Sequence, residues 1–279
     1  MADWYAGWVG AKGSEHHRRL AIPALLDLLT PARGEQVLDV GCGPGVLAPH
    51  VAAAGARYTG VDASRKLLAF ARRHHGRHGR FLEGDATRLR EIAELDEGSF
   101  DAAVFLLSIQ DIDPLEDALA SAAWAVREGG RVVLLMTHPC FRIPRQSGWG
   151  WDRGRRLQYR RIDRYLTRLA VPMKGYGSDR RGFTRSYHRP LSAYINGLAA
   201  CGLLVDGVHE LPTYKKPEPG PHAKAEGAAN REIPLFLGLR AINVRYPRRS
   251  GNGGNNENTR FPPWQSSGPV MRPGATCER

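Results

Sequence analysis

Gln36-Val37-Leu38-Asp39-Val40-Gly41-Cys42-Gly43-Pro44-Gly45 decides how the rest of the chain is read. Val37, Leu38 and Val40 form a short apolar run with β-branched character, which predicts a buried strand. Asp39 stands near its carboxyl end. Three glycines follow on alternate positions, and an apolar helical pattern (Val46, Leu47, Val51, Ala52) starts at once. Strand, glycine turn and helix together bring a ligand close to backbone and to a helix N-terminus. Glycine suits such a turn because it carries no Cβ and adopts left-handed dihedrals without strain.

The spacing separates two kinds of nucleotide turn. A dinucleotide fingerprint reads G-x-G-x-x-G. Here the pattern is G-x-G-x-G, with Val at position 46 and an acid ahead of it at Asp39. That arrangement resembles motif I of the class I S-adenosylmethionine (SAM) methyltransferases, and the chain downstream keeps the resemblance. Arg57–Val61 reads as a second strand ending in Asp62, 17 residues beyond Gly45. An acid there can accept from both hydroxyls of a ribose. Ser64 caps the next helix. Phe81–Ala86 reads as a third strand ending in an acid, Asp85. The resemblance implies that Asp85 receives the adenine amino group and that the Ala86 amide meets a ring nitrogen.

Phe100–Ser108 is a near-continuous apolar run, as expected of a central parallel strand covered on both faces. It resembles motif IV, which implies that its end, Ser108-Ile109-Gln110-Asp111, borders both cofactor and substrate. A helix from Asp113–Pro114 to about Val126 and a fifth strand from Arg131 to Met136 follow. Alternating strands and helices predict a doubly wound α/β sheet. The resemblance makes it a Rossmann-like, seven-stranded, mostly parallel sheet of order 3-2-1-4-5-7-6 with the last strand antiparallel. Leu203–Leu211 and Pro234–Val244 are the expected sixth and seventh strands. The cofactor is expected to be S-adenosyl-L-methionine, held by Asp39, Gly41, Cys42, Gly43, Gly45, Asp62, Ala63, Asp85, Ala86, Leu107 and Ser108.

Between His138 and Pro190 the periodicity stops. Fourteen Arg and Lys stand there against three Asp, which accounts for nearly all of the +12 net charge. Trp149, Trp151 and Tyr159 lie among them, and a helix over Arg161–Leu169 is one reading of its centre. We expect this segment to be a basic, aromatic cap inserted after the fifth strand, within a methyltransferase domain spanning 1–246. Residues 247–279 are rich in Gly, Asn, Pro and Ser with few aliphatics, a composition that predicts disorder.

The expected reaction is methyl transfer to an O, N or C atom of a small-molecule acceptor. Candidate acceptor-side residues are His17, Asp111, His138, Trp149, Trp151 and His188, with His138 as the candidate base because it follows the fifth strand directly. Two alternatives stay open. One is an RNA methyltransferase using the arginine-rich segment, since arginines with interleaved aromatics suit phosphates and stacked bases. The other is a SAM-binding protein that transfers nothing. Cys42, Cys140, Cys201 and Cys277 lie far apart with no C-x-x-C, which suits reduced thiols in a cytoplasm rather than a disulfide or zinc framework. No metal set is expected. No stretch approaches the ~20 apolar residues of a membrane span.

Overall fold

A computed structural model describes residues 9–173 and 184–244. The parallel part of its main sheet is built from β1 (Gln36–Val40), β2 (Arg57–Asp62), β3 (Gly79–Glu83), β4 (Phe100–Leu106) and β5 (Val126–Thr137). Two small hairpins follow, β6 (Ser147–Asp152) with β7 (Leu157–Ile162) and β8 (Leu169–Met173) with β9 (Thr184–His188). The last two strands of the main sheet are β10 (Leu203–Leu211) and β11 (Phe236–Asn243). The sheet order is β10-β11-β5-β4-β1-β2-β3. Counting only the main-sheet strands, this is the order 3-2-1-4-5-7-6, and β11 runs antiparallel to both β5 and β10.

Strand residues alternate between two apolar layers because successive side chains point to opposite faces. Val37, Tyr58, Ala102, Val104, Val133 and Leu135 pack beneath α1 (Ile22–Leu29), α2 (Ala48–Ala53) and α3 (Arg65–His75). Leu38, Val40, Val61, Phe105, Leu134 and Met136 pack against α4 (Leu115–Ala125) and α5 (Leu191–Ala200) on the other face. Apolar residues on both sides of each central strand are what a doubly wound sheet requires. Each fully buried aliphatic or aromatic side chain contributes about 1.5–3 kcal/mol from burial.

Local chemistry sets the element ends. The Ser64 hydroxyl accepts from the Leu67 amide and caps α3. A single π-turn over His17–Ala21 runs into α1, with the Ser14 hydroxyl accepting from the His17 amide at its start. The α1 helix stops at Thr30, whose φ is +44°, and the Arg131 side chain reaches across to Glu35 and to the Leu29 carbonyl. At the far end of α4, the buried Asn243 side chain donates to the carbonyls of Ala123 and Val126 at 3.2 and 2.8 Å.

Two features differ from the sequence reading. Arg161–Leu169 is not a helix: Leu157–Ile162 is a strand, paired with Ser147–Asp152 in register Trp149↔Arg160 and Trp151↔Gln158. Leu157 and Tyr159 alternate with Gln158 and Arg160, a period of two that suits a pleated edge better than a helical face. The Pro-rich stretch also hides a helix, α6 (Ala223–Glu232), composed mostly of good helix formers. The expected disorder of 247–279 lies outside the described residues. No helix among those described is long and apolar enough to cross a membrane.

Candidate functional site

The glycine turn after β1 carries the site. Gly41, Gly43 and Gly45 adopt φ of +72°, +53° and +75°, all in the left-handed region. Two of the three are also close approaches. A Cβ on Gly41 would come within 2.7 Å of the Ser108 Cβ, and one on Gly45 within 2.7 Å of the Phe81 ring. The turn is therefore pressed against the ends of β4 and β3, and any side chain there would both strain the backbone and push those strands away.

Asp62 ends β2 and locks this turn. Its two carboxylate oxygens accept from the amides of Gly43 and Ser64, each at 2.8 Å. Burial raises its carboxyl above the usual range, and the two amides pull it back. Each oxygen keeps lone-pair capacity for a further donor. The Gly84 amide donates to the Asp62 carbonyl at 3.2 Å, which sets the β3 end beside it. Asp85 is exposed there and turns its own Oδ1 to the amide and hydroxyl of Thr87. Ala63 is exposed and Ala86 half-buried.

Asp39 occupies a different environment. It is buried behind the turn, where Oδ2 accepts from the Tyr58 hydroxyl at 2.7 Å and Oδ1 has no protein partner. Burial pushes its carboxyl up to about 7, against the pull of Tyr58. Cys42 is buried beside it, and burial raises its thiol well above the ordinary range, so it stays protonated and unreactive. Leu107 closes the other wall with φ +54° and its amide bound to the Leu135 carbonyl at 2.7 Å. A non-glycine residue held in that region is the kind of strain that collects at functional edges. The Ser108 hydroxyl donates to the Val40 carbonyl at 2.7 Å.

The acceptor-side candidates do not form one cluster. Asp111 closes a short turn from Ser108. It keeps exposed surface while the surrounding chain crowds its carboxyl. That desolvation lifts its carboxyl to about 6, opposed by the Ser186 hydroxyl and Arg189. Arg189 is itself buried, giving hydrogen bonds to the Ile112 carbonyl and the Asp113 carboxylate, each at 2.7 Å. His138 is 1% exposed with both ring nitrogens engaged, Nε2 on Glu210 at 2.8 Å and Nδ1 accepting from the Cys140 amide at 3.2 Å. Neither nitrogen is left to take a proton from an acceptor. His188 binds the Tyr165 carbonyl through Nε2. His17 is buried, with Nδ1 on the Ser14 hydroxyl, and desolvation lowers it to about 4, so it is neutral at physiological pH. Trp149 lies exposed between the guanidinium groups of Arg142 and Arg160, and the Trp151 ring meets His222 at 4.1 Å.

Sequence reading missed Tyr58, Glu210, Ser186 and Arg189. Their signal is only spatial, because each acts through a partner 19 to 78 residues away. Gln110, within the stretch expected at the border of cofactor and substrate, has its Oε1 buried without a partner in the protein.

Sheet order, glycine turn and strand-end acids together define a class I SAM-dependent methyltransferase fold. The comparisons with known proteins agree. Residues 38–134 match the family model described as a methyltransferase domain. Over 99 residues the chain is 36% identical to the ubiquinone biosynthesis O-methyltransferase of Aromatoleum aromaticum, covering 36% of this chain and 42% of that protein. A second, from Thiobacillus denitrificans, is 33% identical over 107 residues, covering 38% and 46%. The matched part thus spans less than half the length of these curated relatives. Among solved structures, an S-adenosylmethionine dependent methyltransferase from Mesorhizobium loti is similar over 79% of this chain and 96% of its own, at 26% identity and a TM-score of 0.61. Residues 38–134 therefore match a methyltransferase domain, on a sheet of the class I methyltransferase fold.

Proposed function

We propose that the chain binds SAM and transfers its methyl group to an O, N or C atom of a small molecule. One observation carries this reading: the Asp62 carboxylate is fastened to the amide of a glycine turn whose three glycines all require left-handed backbone. The fit to SAM is good. The absence of a Cβ at Gly41 and Gly45 lets the turn close onto Ser108 and the Phe81 ring, which holds the edge that carries Asp62 in place. The unused lone pairs of Asp62 suit the two ribose hydroxyls, and Asp85 with the Ala86 amide suits the adenine edge. Asp39, Cys42, Ala63, Leu107 and Ser108 line or support the same place.

SAM, when bound, supplies an electrophilic sulfonium methyl. The protein's own part is to position the acceptor and, where the acceptor needs it, to take a proton. Asp111 fits that task better than His138, because it lies one short turn beyond Ser108 and keeps open surface. His138, tied to Glu210 and Cys140, instead holds the chain leaving β5. The segment 138–190 serves as a cap over the acceptor.

Calorimetry tests the cofactor half of the reading. SAM and S-adenosylhomocysteine should bind at micromolar levels, roughly −8 kcal/mol. Asp62→Ala should weaken SAM by about 1.5–3 kcal/mol, as for loss of a charged hydrogen-bond acceptor. Preferential binding of NAD would overturn the proposal.

A further inference from the structure

The described part of the segment after β5 and the long connection between β10 and β11 meet at the carboxyl edge of the sheet. Arg142 donates to the Pro234 carbonyl at 3.2 Å and Arg160 to the Phe141 carbonyl at 2.7 Å, which ties the β6–β7 hairpin to the start of β11. Between that hairpin and α6 lies a groove of about 1030 Å³.

Its walls have a definite chemistry. Trp151 and His222 form an aromatic corner, their ring centroids 4.1 Å apart and their planes inclined by 52°. Leu157 and Ile233 add apolar surface, and small residues of α6 keep the floor low. Arg153, Arg156 and Lys224 open onto the same space and make no hydrogen bond or ion pair with any described residue, while Glu232 is the single acid. Arg156 stands at φ +52° in the hairpin turn, directly before β7. Most other arginines of this segment have partners: Arg155 with Asp152, Arg161 with Asp163 and Arg168 with Glu116. Uncommitted cations beside an aromatic corner select against neutral and cationic ligands, and the face of Trp151 favours an aromatic one.

We propose that this groove binds an aromatic molecule carrying an anionic group, a phosphate or a carboxylate. Its place in methyl transfer, as the part of the acceptor site away from Asp111, rests on the methyl-transfer reading, whereas the ligand class rests on the groove itself. The aromatic body lies against Trp151 and the anion meets Arg153, Arg156 and Lys224. The position of the groove at the carboxyl edge places such a ligand on the same side of the sheet as the glycine turn.

Calorimetry on the full chain with saturating S-adenosylhomocysteine tests this with 1-naphthyl phosphate, 1-naphthoate, 1-naphthol, inorganic phosphate and a short RNA oligonucleotide as probes. We expect at least one naphthyl anion to bind, with 1-naphthol and inorganic phosphate each weaker by about tenfold or more, a difference of about 1.4 kcal/mol. The phosphate and carboxylate arms tell which anion is preferred. Trp151→Ala and Arg156→Gln should each lower that affinity severalfold, and Arg90→Ser, an exposed arginine far along the chain, should not. Melting temperatures and S-adenosylhomocysteine affinity should stay unchanged, which separates a failed groove from a failed fold. Equal binding of inorganic phosphate, equal binding of 1-naphthol, no binding of either naphthyl anion, or tighter binding by RNA would overturn the proposal. Failure of S-adenosylhomocysteine itself to bind would count against the methyl-transfer reading and leave the ligand class of the groove to be judged by the same probes.

Discussion

Tyr58 and Asp39 show what single residues contribute beneath the glycine turn. The folded carboxyl of Asp39 is raised from 3.8 to about 7, so the folded state holds a proton that the unfolded chain releases over that window. Its contribution to stability is therefore most favourable at low pH and declines as pH rises through the window. The Tyr58 bond favours the ionised form and limits the decline. Tyr58→Phe should cost about 1–3 kcal/mol, because a second carboxylate oxygen then loses its partner. The loss should be larger at about pH 8, where Asp39 is ionised, than at about pH 5. Urea unfolding at the two pH values reads this directly, and an equal loss at both would show that Asp39 is not the titrating group. None of this was legible in the sequence. Asp39 reads there as one more ligand of the cofactor, since nothing in a linear chain shows that Tyr58, 19 residues on, would turn its hydroxyl inward.

At the scale of elements, the sequence was clear where periodicity was strong. Val37–Val40, Arg57–Val61 and Phe100–Leu106 are apolar on both faces and bounded by glycine or acid, so strand, turn and order follow from them. Leu157–Ile162 was harder, because a two-stranded surface hairpin buries little and leaves a weak alternation. The Ala223–Glu232 helix was invisible for a related reason: prolines precede it and small residues replace the apolar stripe that marks a helix. Asn243 belongs to this scale as well. It sits at the end of β11 yet satisfies two carbonyls at the end of α4, joining a strand to a helix more than a hundred residues earlier. Asn243→Ala should destabilise the fold by about 1–3 kcal/mol, as expected for buried carbonyls left without donors. Asn243→Asp should be worse, since a carboxylate would face two carbonyl oxygens. Thermal unfolding checks both, and near-neutral melting of the Asp variant would show that the side chain is not held where it is described.

For the whole molecule, the carboxyl edge of one sheet gathers the glycine turn, Asp62, Asp85, Ser108 and Asp111. That gathering was readable, because each residue falls at a strand end in sequence order. The groove beside α6 was not. It depends on a hairpin from one connection meeting a helix from another, and no spacing rule relates Trp151 to His222. Residues 247–279 are proposed to be dispensable on composition alone. A chain ending at Tyr246 should keep its melting temperature and its SAM affinity, and a large loss of either would refute this. Charge makes a further expectation. If the arginines after β5 serve a small anion, RNA should bind weakly, without the fall of several orders of magnitude between about 50 and 200 mM salt that many phosphate contacts produce.

The reversed direction of β11 has a consequence for how such a protein can change. Because β11 runs down where its neighbours run up, both the chain leaving β5 and the chain leaving β10 are delivered to the same rim. The first hundred or so residues can then keep one task while everything after β5 is free to be exchanged. Inheritance would act on the two parts at different rates. The methyltransferase-domain model matches residues 38–134, within the first of these two parts. A graft of residues 138–235 between two such chains should accordingly carry acceptor preference with it and leave cofactor affinity behind.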